Sequence, residues 1–178
     1  MADPFELRPG VLIDPAAGAA FLMNSQGGIG AIELSSGRAL WNTTSAAKPL
    51  ALFDRRLVAQ ADPAVDSHAL PIVVLDTKNG KVVFKTSLQM PPGVSPSIND
   101  TLGASFSAEA RVQRDNLIVS WNFRRQTISG IARPGSTPER IETGAASLDL
   151  KTHHVETLTA QRAAALRGAS GPAKLPRT

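Results

Sequence analysis

The sequence predicts an all-β fold, a partial β-propeller of about three four-stranded antiparallel blades. The main evidence is a segment that occurs twice: residues 31–41 read AIELSSGRALW and residues 74–84 read VLDTKNGKVVF. Each copy reads as a short alternating strand, a turn that ends in glycine, and a second short strand. A repeat of about 40–50 residues built from short strands is typical of β-propellers. The 13 prolines and 14 glycines, scattered between short apolar runs, agree with many turns.

The first unit contains four predicted strands, recognised by apolar alternation between turn residues. Its first two strands join around Pro15, and the third follows the pair Gly27 and Gly28. A turn at Ser36 and Gly37 leads into the last strand. The predicted strands span residues 10–14, 19–24, 28–33 and 38–41.

The second unit is the clearest of the three. Its first hairpin turns over Asp54 and Arg55. Its second hairpin turns at Asn79 and Gly80, and Asn-Gly between alternating apolar strands is a strong hairpin signal. The predicted strands span residues 49–53, 56–61, 70–76 and 81–86.

The third unit is longer and degenerate. Asp149 matches Asp76, but His153 replaces the turn glycine and Thr157 replaces the terminal aromatic residue. The predicted strands span residues 105–113, 116–123, 145–150 and 154–158. The chain therefore divides into propeller blades at residues 1–158 (about 10–41, 49–86 and 105–158) and a basic tail or short helix at residues 159–178.

The pattern A-x-D/E-x-x-x-G-x-x-x-W resembles the repeat of the PQQ-like (pyrroloquinoline-quinone-like, quinoprotein-like) β-propellers. Residues 31–41 match it closely, residues 74–84 match with valine and phenylalanine at the end positions, and residues 147–157 match weakly. In such blades the aromatic residue of the outermost strand packs into the neighbouring blade. The resemblance therefore implies structural, blade-docking roles for Trp41, Phe84, Gly37, Gly80, Glu33, Asp76 and Asp149.

The resemblance indicates a fold much more than an activity, because many proteins with this repeat bind no quinone. Quinone-dependent alcohol dehydrogenases use adjacent cysteines over the cofactor, and this chain has no cysteine. No positions match the Glu/Asn/Asp calcium site of those enzymes. The resemblance thus implies PQQ or Ca²⁺ only weakly, and we expect no cofactor and no catalytic or metal-binding residue.

The three histidines are candidate metal ligands. His153 and His154 are adjacent, and adjacent residues of a strand point to opposite faces of a sheet. His68 follows Asp62 and Asp66, where a carboxylate–imidazole metal site is conceivable. A polar loop between strands is the more frequent role of such a segment.

The charge distribution argues against nucleic acid as a partner. The net charge is +4, and residues 151–178 hold five Lys or Arg against Glu156 alone. The excess therefore lies in the tail, whereas a nucleic-acid-binding domain carries a basic face on its folded body. No run approaches the roughly 20 apolar residues that a membrane span needs. The start Met1–Pro4 reads like a mature secreted terminus, so we expect a periplasmic or secreted bacterial protein.

Three blades cannot close a ring, since known propellers use about four to eight. An open stack would expose blade faces and strand edges. We therefore expect completion by a second copy, another chain or further blades. The predicted function is a non-catalytic scaffold or protein-binding module. The alternative is a fragment of a quinoprotein-type oxidoreductase or hydrolase with its site in the ring centre.

A proline-rich loop at residues 89–102 is the best candidate for an interaction surface. Long propeller insertions usually lie on one face and carry function. A loop that plugs the ring face is an equally good interpretation. The candidate contact residues are Pro91, Pro92, Pro96 and Asn99.

Overall fold

The computed structural model describes residues 10–64, 67–96, 104–126, 139–159 and Arg162. Within these ranges the chain forms three four-stranded antiparallel sheets, each in plain up-and-down order. The first sheet consists of β1 (Val11–Asp14), β2 (Ala19–Met23), β3 (Ile29–Glu33) and β4 (Ala39–Thr43). The predicted fold class, an all-β partial propeller of about three four-stranded blades, is confirmed.

The second and third sheets repeat this layout with longer strands. The second sheet consists of β5 (Lys48–Phe53), β6 (Arg56–Gln60), β7 (Ala69–Asp76) and β8 (Val82–Gln89). The third sheet consists of β9 (Ala104–Gln113), β10 (Asn116–Gln126), β11 (Glu139–Asp149) and β12 (Val155–Leu158).

The hairpin between β5 and β6 turns through Asp54 and Arg55, as the sequence predicts. Both residues have positive φ, 41° and 57°. Positive φ at both central residues is the mark of a type I′ turn, whose twist matches that of the flanking strands. A short side chain such as that of Asp54 tolerates this region because it can hydrogen-bond locally.

The strand β11 begins earlier than the sequence predicts, at Glu139 instead of residue 145. Its first half pairs with the end of β10, where Asn122 lies opposite Thr143 and Arg124 opposite Ile141. Polar and charged residues dominate this stretch, so it lacks the apolar alternation by which strands are recognised in a sequence.

Two apolar layers join the three sheets, with the second sheet in the middle. The layer between the first and second sheets includes Phe21 and Ile29 from one side and Leu57 and Leu75 from the other, all fully buried. The layer between the second and third sheets is larger and includes the following buried residues: Val58, Leu70, Ile72, Val74, Leu117, Val119, Phe123 and Leu148.

The first strands of the three sheets converge, because β5 contacts both β1 and β9. The last strands, β4, β8 and β12, lie at the opposite edges of their sheets. This arrangement, in which inner strands meet and outer strands diverge, is that of neighbouring propeller blades. No helix in the described part of the chain is long and apolar enough to span a membrane.

Candidate functional site

Three turns of the same geometry stand at one end of the sheets, between the third and fourth strand of each. The amide of Gly37 donates to the carbonyl of Glu33 at 2.8 Å, and the amide of Gly80 donates to Asp76 at 2.9 Å. The amide of His153 donates to Asp149 at 2.8 Å. Their φ angles of 70°, 68° and 61° are all left-handed. The third turn thus keeps the conformation although histidine replaces glycine.

The acid that opens each turn hydrogen-bonds within it. A carboxylate oxygen of Asp149 accepts the amides of Lys151 and Thr152, both at 2.8 Å, and Asp76 accepts the amide of Lys78 at 2.8 Å. The amides of Thr152 and Lys151 lower the pKa of Asp149, because hydrogen bonds to a carboxylate favour its charged form. Asp149 thereby helps to hold the third turn.

The glutamate of the first turn has a similar role. The hydroxyl of Ser36 donates to the carboxylate of Glu33, and Arg38 lies 3.6 Å from the same oxygen. The Ser36 hydrogen bond and then the charge of Arg38 lower the pKa of Glu33. Because the Glu33 carboxylate is accessible to solvent, its ion pair with Arg38 adds little to overall stability. Its contacts serve mainly to fix the local conformation of the turn.

Trp41 of the first sheet lies on the turn of the second sheet. Its indole nitrogen donates to the carbonyl of Thr77 at 2.8 Å. A Cβ atom placed on Gly80 would be 2.6 Å from Cε3 of Trp41. The ring therefore lies directly on the backbone of Gly80, an approach that a side chain at this position would block.

Phe84 of the second sheet lies on the turn of the third sheet in the corresponding way. Its ring stacks on the imidazole of His153, with centroids 3.9 Å apart and an interplanar angle of 23°. The outer-strand aromatic of one sheet thus contacts the left-handed residue of the next turn at both interfaces.

The structure places Glu156, not Thr157, at the aromatic position of the third sheet. Trp41 pairs with Ala31 and Phe84 pairs with Val74, each beside an irregularity in the ladder. The pairing of β11 with β12 runs without that irregularity and sets Glu156 opposite Ser147. Counting four residues from the left-handed residue of the turn therefore predicts the wrong residue, Thr157, at the aromatic position of this sheet.

The turn at Gly37 contacts no such aromatic among the described residues. A Cβ atom on Gly37 would have no described neighbour within 4 Å. The backbone around Gly37 matches that of the turn at Gly80. The amide of Leu34 donates to the carbonyl of Gly18 at 2.8 Å, and in the same way the amide of Thr77 donates to the carbonyl of Arg55 at 3.1 Å. Leu34 is thus the equivalent of Thr77.

One face of the second and third sheets is directed toward the preceding sheet; this face, and the equivalent face of the first sheet, is here called the receiving face. On the second sheet it carries Leu52, Leu57 and Leu75, which pair across β5, β6 and β7. The corresponding row of the first sheet consists of Ile13, Ala20 and Ile32.

The two rows differ in burial. Leu75 is fully buried under the first sheet, whereas its equivalent Ile32 is only half-buried. Ile13 is 37% exposed. The receiving face of the first sheet therefore has the apolar composition of an interface without the same cover. Sequence reasoning missed these residues, although the alternation in β1 and β3 contains the signal.

The opposite face of each sheet, here called the presenting face, carries the outer-strand aromatic. On the first sheet it includes Phe21 and Trp41, whose ring centroids lie 5.7 Å apart. On the third sheet it includes Ser147 and Glu156. Arg162 lies 2.6 Å from Glu156 in an ion pair. The presenting face of the third sheet is therefore polar at the position where the other two sheets are aromatic.

The proline-rich loop begins as part of the core. Val94 is fully buried between the second and third sheets, and its carbonyl lies 3.1 Å from Nδ1 of His68. Pro96 is buried, while Pro91 and Pro92 are exposed. Asn99 lies outside the described residues, and an interaction role of this loop stays a prediction.

The remaining candidate sites are the histidine-containing segments and a cavity between the sheets. Among the described residues, no three His, Asp or Glu side chains could together hold a metal ion. A cavity of about 430 Å³ lies where β1, β5 and β9 meet. Its charged side chains among the described residues are Lys48 and Glu109, beside Ser107 and apolar residues.

No protein-family model and no curated protein matches this sequence. Among solved structures, BamB from Moraxella catarrhalis matches at 15% identity and a TM-score of 0.46, over 82% of this chain and 50% of that one. A europium-containing methanol dehydrogenase matches at 11% identity and a TM-score of 0.44, over 79% of this chain and 23% of that one.

The chain thus spans half the length of the first match and less of the second. The three four-stranded antiparallel sheets, each with the same turn before its last strand, confirm the predicted resemblance at the level of the fold.

Proposed function

We propose that this chain is a non-catalytic β-propeller scaffold or protein-binding module, whose ring is completed by another chain or by further blades. The observation that supports it is the burial difference between equivalent positions. Leu75 is fully buried under the preceding sheet, whereas Ile32 at the same position of the first sheet is only half-buried by the part of the chain that the structure describes. A further β-sheet on the receiving face of the first sheet would form a third interface of the kind that joins the three sheets of this chain.

The gain from covering this face is the hydrophobic effect. Burial of a large aliphatic side chain contributes about 1.5–3 kcal/mol relative to leaving it in water. Ile13, Leu22 and Ile32 are aligned on this face beside the buried Ala20. Covering these partly exposed side chains therefore favours the docking of a complementary sheet.

The central cavity supports the scaffold over an enzyme. An active site in the ring centre would need several acids or histidines that converge there. The described part of the cavity wall offers Glu109 and Lys48 among mainly neutral residues. A periplasmic or secreted location remains part of the proposal, and fractionation of the source cells tests it.

The first experiment is the native mass of the purified particle, with the identity of every chain in it. We expect the particle to contain protein in addition to one copy of this chain. Ile13→Asp should release that protein, because a carboxylate on an apolar interface loses its hydration. A compact, stable monomer that contains this chain alone would contradict the proposal.

The matched control is Ile141→Asp. Ile141 is also an exposed isoleucine in a strand, 51% exposed, but it belongs to the third sheet. We expect this variant to keep the native composition of the particle. Equal loss from both variants would indicate a head-to-tail assembly of copies, in which both end faces take part.

A further inference from the structure

The fourth strand of the third sheet covers only part of the third strand. β11 has 11 residues, and β12 pairs with Ala145–Leu148 alone. In the second sheet, by contrast, β8 pairs along β7 as far as its first residue, Ala69. Among the described strands, residues 139–144 of β11 therefore have a neighbour on one side only, which is β10.

We propose that this free edge of β11 is a strand-addition site, at which an extended segment of another protein pairs antiparallel with residues 139–144. The segment takes the place of the missing half of the fourth strand. In this mode of recognition, backbone hydrogen bonds supply affinity and alternate side chains supply selectivity. The inference does not rest on the proposed function, because it concerns a different surface on a different sheet.

The direction of the backbone groups in β11 follows from its last residue. The amide of Asp149 donates to the carbonyl of His154 at 2.9 Å, so Asp149 faces the fourth strand. Backbone groups alternate between the two sides of an antiparallel strand, and the pairing of β11 with β10 is regular throughout. The amides and carbonyls of Ile141 and Thr143 therefore point to the free edge, whereas those of Glu142 point to β10.

The chain turns away from this edge directly after β12. The amide of Arg162 donates to the hydroxyl of Thr159 at 3.3 Å, and its guanidinium lies 2.6 Å from Glu156. A strand that continued to Arg162 would place its Cα about 20 Å from that of Glu156, beyond the combined reach of the two side chains. The chain therefore does not continue along β11 as a strand to Arg162.

The second sheet contains an occupant at the corresponding position. The acids that open the two turns align β7 with β11, which makes Leu70 the equivalent of Thr143 and His68 the equivalent of Ile141. In the second sheet both positions face a fourth-strand neighbour. Its side chains therefore indicate which chemistry the free edge of the third sheet accepts.

The two fourth-strand residues at these positions are apolar. Leu88 pairs with Leu70, and the amide of Met90 donates to the carbonyl of His68 at 2.7 Å. Leu88 is fully buried, and Met90 is 7% exposed. Because they are two residues apart in an extended segment, both side chains lie on one face. The partner segment therefore carries two apolar residues separated by one residue.

The presenting face of the third sheet has apolar groups that would contact these two residues. Ile118, Ala145 and Leu158 form a buried cluster at the end of β12. The first apolar residue of the segment, opposite Thr143, would extend this cluster. The second would cover Ile141, which is 51% exposed. Directly opposed apolar side chains in neighbouring strands stabilise their pairing.

The site is short, so the interaction is transient. A segment that pairs with residues 139–144 buries far less than the roughly 1,200 Å² at which stable protein interfaces begin. The occupant is therefore not a constituent that survives purification. Ile141→Asp thus remains a suitable control for the composition of the native particle.

The test is amide hydrogen exchange of the full chain with and without a synthetic peptide TSLQMP, the sequence of residues 86–91. We expect excess peptide to slow exchange at Ile141 and Thr143 by about threefold or more, because their amides become hydrogen-bonded. Exchange at Glu142 should stay unchanged, because its amide already faces β10. The control peptide TSSQSP, which lacks both apolar side chains, should have no effect.

Two proline variants locate the peptide on the chain. Thr143→Pro removes an amide that points to the free edge and leaves the ladder with β10 in place, a position where proline is tolerated. The matched control is Thr157→Pro. The backbone of His154 faces β11, so that of Thr157, three residues further on, faces away from it. Thr143→Pro should abolish the slowing at Ile141, and Thr157→Pro should preserve it.

Slow exchange at Ile141 and Thr143 in the chain without peptide would mean that another segment of this chain already fills the edge, and it would overturn the proposal. Equal slowing by the two peptides would overturn it too, as would slowing that survives Thr143→Pro. The comparison of peptides on the wild type decides the matter even if Thr143→Pro fails to fold. Failure of the proposed function would appear separately, as a native particle of this chain alone.

Discussion

Gly144 shows how a single missing side chain shapes the third sheet. It lies directly opposite Trp121 in the ladder between β10 and β11. A Cβ atom on Gly144 would overlap the six-membered ring of Trp121, whose side chain is buried in the larger apolar layer. The glycine is therefore required by the packing of the indole across it, and not by its own backbone angles.

Gly144→Ala should destabilise the chain by about 1–3 kcal/mol, because an added group in a filled core forces neighbours to shift. Unfolding in urea measures the change. The matched control is Gly30→Ala, where the atoms within reach are the side-chain oxygens of Asn42 and Asn24. These flexible ends can move aside, so the control should cost less. A larger loss for Gly30→Ala would contradict this interpretation of Gly144.

The turns are the elements in which sequence and structure agree most closely. The alignment of Asp149 with Asp76 predicted a third turn at His153, and the hydrogen bonds and positive φ angle are present there. Such turns are predictable because their geometry is set by residues close together in the sequence. The acid accepts amides two or three residues ahead, and one residue takes the left-handed conformation.

The exact partners in the contacts between sheets were less predictable than the turns. Nothing in the spacing of β12 reveals that the ladder irregularity of β4 and β8 is absent there, so the position of Glu156 needed the structure. No sequence motif identifies Thr77 as the acceptor, because it contributes only a backbone carbonyl, which every residue has. The burial difference between Ile32 and Leu75 depends on what covers each sheet.

The pKa of Asp149 gives the third turn a defined dependence on pH. Because it is lowered from the ordinary value of 3.8, the folded state binds the proton more weakly than the unfolded state does. The contribution to stability is therefore fully present above that value, and it is lost as the pH falls through the lowered pKa.

Asp149→Asn should reduce stability at neutral pH, and the difference from the wild type should shrink as the pH falls below 3.8. Urea unfolding of both proteins from neutral pH to strongly acidic pH measures this. A repeat at about 1 M salt should change the difference little, because the cause is backbone hydrogen bonding and not a screened ion pair. A difference that is constant with pH would contradict the role of Asp149.

The second sheet is packed on both faces, whereas the outer faces of the first and third sheets differ in composition. The receiving face of the first sheet is apolar, and the presenting face of the third sheet carries Ser147 and Glu156 with Arg162 beside them. On the third sheet Ile118, Ala145 and Leu158 are already buried, whereas Ile13 and Ile32 of the first sheet are partly exposed and gain from being covered. The proposed partner therefore docks on the first sheet.

Hydrogen exchange should show this gradient directly. In the middle sheet, residues on both faces of β6 and β7 are fully buried, among them Leu57, Val58, Ile72 and Leu75, whereas β4 is largely exposed. Local opening is least frequent where both faces are packed. Amides of β6 and β7 should therefore exchange most slowly in the isolated chain, and those of β4 and β12 fastest.

Binding of the proposed partner adds a second expectation to the same measurement. In the native particle the amides of β2 and β3 should slow toward the rates of β6 and β7, because the first sheet then also has two covered faces. The amides of the third sheet should keep their rates, which makes that sheet an internal control. Equal protection of the first sheet in the isolated chain and in the particle would mean that the partner binds elsewhere.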